Sequence, residues 1–467
     1  MRWRRRLLAA LAAVAAVALL AAGLLRLASG GDDPRPRGTL DDVLALRERS
    51  DVNVLFILID TLRADRLGAY GYGRDTSPNL DALAASGVRF AQQVSQSSWT
   101  KCSMASLWTG LYPVRTRVLR AYDVLSSEAR MPAEVFQEAG FRTAGIWRNG
   151  WIAPNFGFSQ GFEIYLSPRS ERRKRARADR LDNPNYALDG DDGDIVDSAV
   201  EFLHAHGHER WFLYLHLMDV HQYAYSEDTA LFGTSYTDSY DNSIRWVDSL
   251  LAHVFTSLAE LGLRDRTLIV LSADHGEAFG EHDGEGHARN VYGEVTQTPL
   301  ILSFPFRLDP GIVVDARSEN VDLWPTVLEL VGLPPLPDVD GHSLVPQIVA
   351  AARGEAPDDD AVAFAQIDQK WGRTRESPRP MVAVNQGRWR LMFRAGIPKR
   401  SELYDKWEDP AERQSVADEQ PEVTQALNEL AIGYLKSPPP PWGGDAPLIE
   451  IDELQLNQLR ALGYGVH

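Results

Sequence analysis

Val52-Asn-Val-Leu-Phe-Ile-Leu-Ile-Asp60 is a run of Val, Leu, Phe and Ile, interrupted only by Asn53, that stops on a carboxylate. Apolar residues without alternation are the pattern of a strand buried on both faces. Similar runs occur at Arg142 to Trp147, Trp211 to Leu217 and Thr267 to Ala273. Helical stretches separate them, at about Asp81 to Ser86, Pro132 to Ala139, Asp194 to His206 and Tyr240 to Leu261. Strands alternating with helices predict an α/β fold with a doubly wound, mainly parallel sheet. Polar residues cluster where the runs end: Asp60 after the first, Asp219 after the third, Asp274 and His275 after the fourth. Open α/β sheets bind ligands beyond the carboxyl ends of their strands, so residues this far apart in sequence are expected to meet there.

Outward from this block, the sequence divides into an N-terminal segment (1–28), a linker (29–50), the main domain (51–350), a smaller α+β region (351–440) and a tail (441–467). Leu7 to Leu25 contains only Ala, Leu, Val and Gly, flanked by Arg2, Arg4, Arg5, Arg6 and Arg26. At about 1.5 Å per residue it is long enough to cross a hydrocarbon core. It reads as an uncleaved membrane anchor ahead of a signal peptide, whose apolar stretch is shorter. Either way the arginines stay inside and the remainder lies outside the cytoplasm. The linker begins with Gly, Asp and Pro and turns charged, which suits a tether. In the smaller region, Val362 to Ile367, Met381 to Val384 and Trp389 to Phe393 read as strands and Pro421 to Leu435 as a helix, following an acidic turn at Asp358 to Asp360. The formal charge of -17 excludes a general nucleic-acid binder. The basic run Arg169 to Arg180 reads as a solvated loop. Cys102 is the single cysteine, so the exported fold has no intrachain disulfide.

Two carboxylates and an imidazole at strand ends (Asp60, Asp274 and His275) make a candidate site for a divalent cation. The segment Ser98-Trp-Thr-Lys-Cys-Ser-Met-Ala-Ser-Leu-Trp-Thr-Gly-Leu-Tyr-Pro113 supplies a nucleophile. It resembles the signature of the sulfatase branch of the alkaline phosphatase superfamily, in which a nucleophile opens a helix and Thr-Gly follows nine and ten residues later. Counting back from Thr109-Gly110 places Thr100 at the nucleophile. Asn53 to Tyr72, Asp75 to Asp81, Gly157 to Phe162, Leu217 to His221, Ser272 to Gly276, Asp322 to Pro325, Asp340 to Ser343 and Glu402 to Asp405 are similar to further family blocks, in the family's order. The resemblance implies an alkaline phosphatase/sulfatase-type sheet and an extracytoplasmic ester hydrolase or transferase acting on an anionic ester.

The departures from the family pattern carry information. Sulfatases resemble Cys/Ser-x-Pro/Ala-x-Arg at the nucleophile, whose first residue is oxidised to formylglycine. Here Thr100 stands there, and Cys102 lies two positions late with Met104 and Ser106 where Pro and Arg are needed. No formylglycine is expected. The usual Asp-Asp and Asp-Asn metal pairs read Asp60-Thr61 and Asp274-His275, which exchanges hard oxygen donors for a nitrogen and favours zinc or manganese over calcium. A Thr nucleophile with this ligand set resembles the relatives that act on phosphorus. A threonine hydroxyl needs such activation, since a nearby divalent cation lowers its pKa. The expected function is phosphoester or phosphodiester cleavage or transfer through Thr100, with sulfate-ester hydrolysis and a non-catalytic binding protein as alternatives. Lys101 at the helix start is a candidate anion contact. His221 and His287 are candidates to protonate the leaving alcohol, and Asp219 to contact substrate. Asp219, His221 and His287 would alternatively form a second zinc site, but one metal is favoured. Glu277, Glu281, His282, Asp283 and Glu285 read mostly as solvated charge, and Trp99 and Trp108 as core. No protein partner is implied.

Overall fold

A computed structural model describes residues 33–168, 190–357, 361–371, 378–451 and 459. The anchor or signal segment at Leu7 to Leu25, the basic run at Arg169 to Arg180 and the acidic turn at Asp358 to Asp360 lie outside the described residues. Among the described residues no helix is long and apolar enough to cross a membrane.

The main sheet has eight strands in the order β10-β2-β9-β6-β1-β5-β3-β4. They are β1 (Asn53–Ile59), β2 (Val88–Val94), β3 (Arg142–Ile146), β4 (Ile164–Leu166), β5 (Trp211–Leu217), β6 (Thr267–Ser272), β9 (Gln297–Ser303) and β10 (Ile312–Glu319). A small hairpin, β7 (Ala278–Phe279) and β8 (Glu285–Gly286), interrupts the numbering. All pairings are parallel except those of β9, which runs antiparallel to both β2 and β6. β1 and β5 are buried along their whole length because helices cover both faces. One face carries Phe56, Tyr214, Phe212, Trp108 and Trp324; the other carries Leu55, Ile57, Leu213, Leu215 and the long helix Tyr236–Glu260. The Trp99 and Trp108 side chains are both buried, as the sequence suggests. Trp108 stacks on Trp324 at 5.1 Å and meets Phe56 edge-on at 5.8 Å.

A second sheet of four antiparallel strands, β11 (Ala363–Asp368), β12 (Pro380–Gln386), β13 (Trp389–Arg394) and β14 (Glu402–Asp405), packs against the helix Pro421–Tyr434. It adjoins the nucleophile helix: Trp371 stacks on Trp99 at 4.5 Å and donates its indole N–H to Ala288 O.

Parts of the linker and of the tail pack on the body. The stretch read as a tether is packed: Val43 and Leu46 enter the core, and the buried Arg35 guanidinium donates to Ser303, Phe304 and Phe306. A short helix with a capping box, Leu40–Ala45, buries Val43 on one side while Asp41 and Asp42 are exposed. The tail likewise returns to the body, where Val124 N–H donates to Pro447 O and Ile449 N–H to Tyr122 O.

Candidate active site

The ends of β1 and β6 bring Asp60 and Asp274 together across the parallel pair. The backbone after Asp60 turns sharply. Thr61 takes a positive φ of 61°, an unusual conformation for a β-branched residue, and is held there by three bonds. Its N–H donates to Asp274 Oδ1 at 3.2 Å, its hydroxyl to Asp60 O at 2.6 Å, and its carbonyl accepts Tyr240 Oη at 2.6 Å. The Thr61 hydroxyl therefore does not serve in place of the carboxylate that sulfatases resemble at this position.

Thr100 is the first residue of the helix Thr100–Thr109 and is fully buried. Its Oγ1 lies 3.2 Å from His275 Nε2 and accepts from Asn149 Nδ2 at 3.3 Å. His275 Nδ1 is 3.0 Å from Gly276 O, which places the proton on Nδ1 and turns the Nε2 lone pair toward Thr100 and Asp274.

Asp60, Asp274 and His275 each present a donor atom within 4.8 Å of the others. Asp60 Oδ1 and Asp274 Oδ2 are buried and accept no hydrogen bond among the described residues. Their other oxygens are satisfied, by Asn149 and His216 for Asp60 and by Thr61 and His275 N–H for Asp274. Two orphaned carboxylate oxygens facing an imidazole lone pair fit a divalent cation, because buried polar atoms otherwise find partners. Burial works against charge on Asp60, but His221, His216 and His275 outweigh it and hold the carboxyl well below its usual range. Burial and then the Asp60 charge push Asp274 upward. This strain between adjacent carboxylates is what a cation relieves.

His221 and His287 border the same site: their rings are 4.9 Å apart, and His287 lies 4.5 Å from the ring of His275. Burial lowers His221 to about 4. Burial also opposes charge on His287, but Glu277, at 3.2 Å from Nδ1, overcomes it and raises the imidazole. The two histidines thus shift in opposite directions, His221 away from the proton and His287 toward it. His287 is tied to the nucleophile segment through Ala288 N–H, which donates to Ser98 O at 2.8 Å.

Two candidate contacts are placed elsewhere. Lys101 is fully buried, its ammonium donating to Ala121 O at 2.7 Å and lying 3.6 Å over the Phe156 ring. Successive helix residues are about 100° apart, so Lys101 faces away from the site that Thr100 faces. Asp219 accepts Arg148 Nη1 at 2.7 Å on one oxygen, and Trp246 Nε1 at 3.0 Å and Asp192 N–H on the other. Both Asp219 oxygens are engaged in the fold, which disfavours a second zinc site built on it. Asn149, His216 and Glu277 join the site without having been anticipated. Glu277 is buried and paired rather than solvated. Cys102 is buried on the nucleophile helix itself and its thiol is pushed up to about 12, chiefly by burial, as an inert cysteine is.

A separate cluster lies between the β7–β8 hairpin and the smaller region. His282 Nδ1 is 2.9 Å from Glu294 and Nε2 is 2.7 Å from Glu412 O, beside a cavity of about 870 Å³. Burial lowers His282, but Glu294 and Glu412 O raise it to about 9. A raised imidazole contributes stability that is complete below its unfolded pKa of about 6.5 and lost as pH rises through about 9. The drop in thermal midpoint between pH 7 and pH 10 is therefore expected to be smaller in His282→Gln than in wild type; an equal drop in both contradicts this.

Residues 52–333 match the family model described as Sulfatase, and residues 280–433 match N-sulphoglucosamine sulphohydrolase, C-terminal. The chain is similar to human arylsulfatase A, 27% identical, covering 81% of this chain and 87% of that one. An N-acetylgalactosamine-6-O-sulfatase from Bacteroides thetaiotaomicron is 23% identical, covering 81% and 92%. Among solved structures, the phosphonate monoester hydrolase of Agrobacterium radiobacter has a TM-score of 0.66 at 21% identity, covering 82% and 95%. A 2-O GAG sulfatase has the same TM-score at 18% identity, covering 83% and 92%. With more than half its length matched, and with this sheet, the chain belongs to the sulfatase family and is a sulfatase-like ester hydrolase.

Proposed function

We propose that the protein cleaves phosphoesters or phosphodiesters outside the cytoplasm, using Thr100 as nucleophile. The observation that carries the reading is the Thr100 hydroxyl at the helix start, within reach of His275 and beside the Asp60–Asp274 pair. Asp60, Asp274 and His275 would hold one divalent cation, zinc or manganese ahead of calcium. When bound, that ion supplies positive charge that lowers the pKa of the hydroxyl and offsets charge on the ester. Asn149 orients the hydroxyl through its 3.3 Å bond, and the helix N-terminus presents backbone N–H groups to the anion. Attack by Oγ1 on phosphorus, its proton passing to His221, which prefers to be neutral, forms phospho-Thr100 as the ester oxygen leaves. His287, held toward its protonated form by Glu277, gives the departing alcohol its proton; left neutral, it takes one from the water that resolves the intermediate, while His221 returns its proton to Thr100 Oγ1.

Sulfate-ester hydrolysis is the second reading, and the names of the relatives favour it over the first: arylsulfatase A and an N-acetylgalactosamine-6-O-sulfatase are among the sequence matches. The phosphonate monoester hydrolase supports phosphorus chemistry on this fold. Matched aryl phosphate, bis-aryl phosphate and aryl sulfate substrates decide between them. The first reading expects the highest kcat/KM on a phosphoester; a clear preference for aryl sulfate overturns it. Purified protein is expected to carry zinc or manganese in near-equal molar amount, to lose turnover on chelation and to regain it with either metal. Full activity after complete metal removal, measured by elemental analysis, defeats this part of the proposal.

A further inference from the structure

Beneath Asp60, the covered face of β5 carries two polar side chains among aromatics. Tyr214 and His216 are alternate residues on one face of the strand and both are fully buried. Tyr214 stacks on Phe56 at 5.4 Å and meets Trp108 edge-on at 5.0 Å. Apolar residues would fill this space without desolvating polar atoms, so a tyrosine–histidine pair at this depth calls for a reason.

The contacts supply one. Tyr214 Oη is 2.6 Å from His216 Nδ1, and His216 Nε2 is 3.1 Å from Asp60 Oδ2. An ionised carboxylate only accepts, so Nε2 carries a proton and donates it. In the neutral ring Nδ1 then accepts from the tyrosine hydroxyl, which burial keeps protonated by raising it well above its ordinary range. Asn149 Nδ2 donates to the same Asp60 oxygen at 2.6 Å. Oδ2 is therefore held by two donors, while Oδ1 has no partner among the described residues.

We propose that Tyr214 and His216 are positioning residues that hold Asp60 as a one-oxygen ligand and thereby set which cation the site accepts; this rests on the metal-dependent reading above. A carboxylate pinned through Oδ2 offers Oδ1 alone, in a fixed direction. Bidentate coordination, which calcium uses to reach six to eight oxygen ligands, would require Oδ2 to give up both donors. The relay thus disfavours calcium and suits a four-coordinate ion with a nitrogen ligand.

The test is metal binding by the chelator-stripped full-length protein, with zinc read by competition against a chromophoric chelator and calcium by titration calorimetry. Wild type, Tyr214→Phe, His216→Phe and His216→Gln are compared, together with the thermal midpoint of each metal-free protein. The relay predicts that His216→Phe loses about 10- to 100-fold in zinc affinity. It predicts a smaller loss for Tyr214→Phe, a narrower zinc-to-calcium preference in both, and recovery of most of the affinity in His216→Gln, whose amide can still donate to Oδ2. If His216→Phe does not fold, Tyr214→Phe and His216→Gln carry the same comparison. Tight zinc binding by wild type with unchanged affinity and preference in the folded variants overturns the relay alone. Wild type that retains no divalent cation overturns the metal reading, and the relay with it.

Discussion

Thr100→Ala is expected to lower kcat by at least about 1,000-fold on whichever ester the protein turns over best, with metal content unchanged and the thermal midpoint close to wild type. The loss is large because the hydroxyl forms the covalent intermediate and no neighbouring group has its position. Cys102, two residues on, is buried with its thiol pushed up to about 12, and Ser103 Oγ donates to Asp274 O at 2.6 Å. The structural cost is small because alanine is a good residue for a first helical turn, and the hydroxyl's bonds to His275 and Asn149 are long. Thr100→Ser, which keeps the oxygen, is expected to retain a measurable fraction of activity. Initial rates on aryl phosphate and aryl sulfate, with metal content of each variant, test this. Turnover of either ester that survives Thr100→Ala places the nucleophile elsewhere.

The parts of the fold legible in the sequence are those buried on both faces. The apolar runs of β1, β3, β5 and β6 stand out because few polar residues interrupt them. β2 and β10 did not, since Val88–Val94 and Ile312–Glu319 mix buried with half-exposed positions near one edge of the sheet. β9, the strand that runs against its neighbours, mixes Gln297, Thr298 and Ser303 with its apolar residues and gives no sign of its direction. The site divides along similar lines. Asp60, Thr100, Asp274 and His275 were identifiable because each closes a strand or opens a helix within a short block. Asn149, His216 and Glu277 were not, because their partners lie far off in sequence. Even so, His216 had a visible signal: an imidazole two residues from a tyrosine inside an otherwise apolar strand asks what it bonds to. Lys101 reads as an anion contact from its place at the helix start, yet adjacent helix residues point in different directions and it faces away from the site. Asp219 was assigned by its place after a strand, a place that also suits a carboxylate holding the fold.

For Asp219 the two roles separate by experiment. Arg148 Nη1 bridges Asp192 Oδ1 at 2.9 Å and Asp219 Oδ1 at 2.7 Å, and all three side chains are buried. Asp192 caps the end of β5 by accepting from the N–H groups of Met218 and Asp219, and burial followed by the Asp219 charge raises it to about 7. Without the guanidinium, two buried carboxyl groups would face each other unpaired. Arg148→Met is therefore expected to cost about 3 to 5 kcal/mol, the usual penalty for breaking a buried ion pair from one side. Asp219→Asn keeps Arg148 paired with Asp192 and an oxygen for Trp246, so it is expected to cost less. Urea unfolding of the metal-loaded proteins measures both. A structural Asp219 predicts that Asp219→Asn lowers the unfolding midpoint while KM stays near wild type. A raised KM with an unchanged midpoint would restore Asp219 as a substrate contact and make Arg148 its partner in that role. Because Asn149 follows Arg148 directly and bonds both Asp60 and Thr100, the ion cluster also anchors the segment that aims the nucleophile. Any loss of kcat in Arg148→Met that exceeds its unfolded fraction would then report displacement of Asn149, and Asn149→Ala should reproduce that loss without the stability penalty.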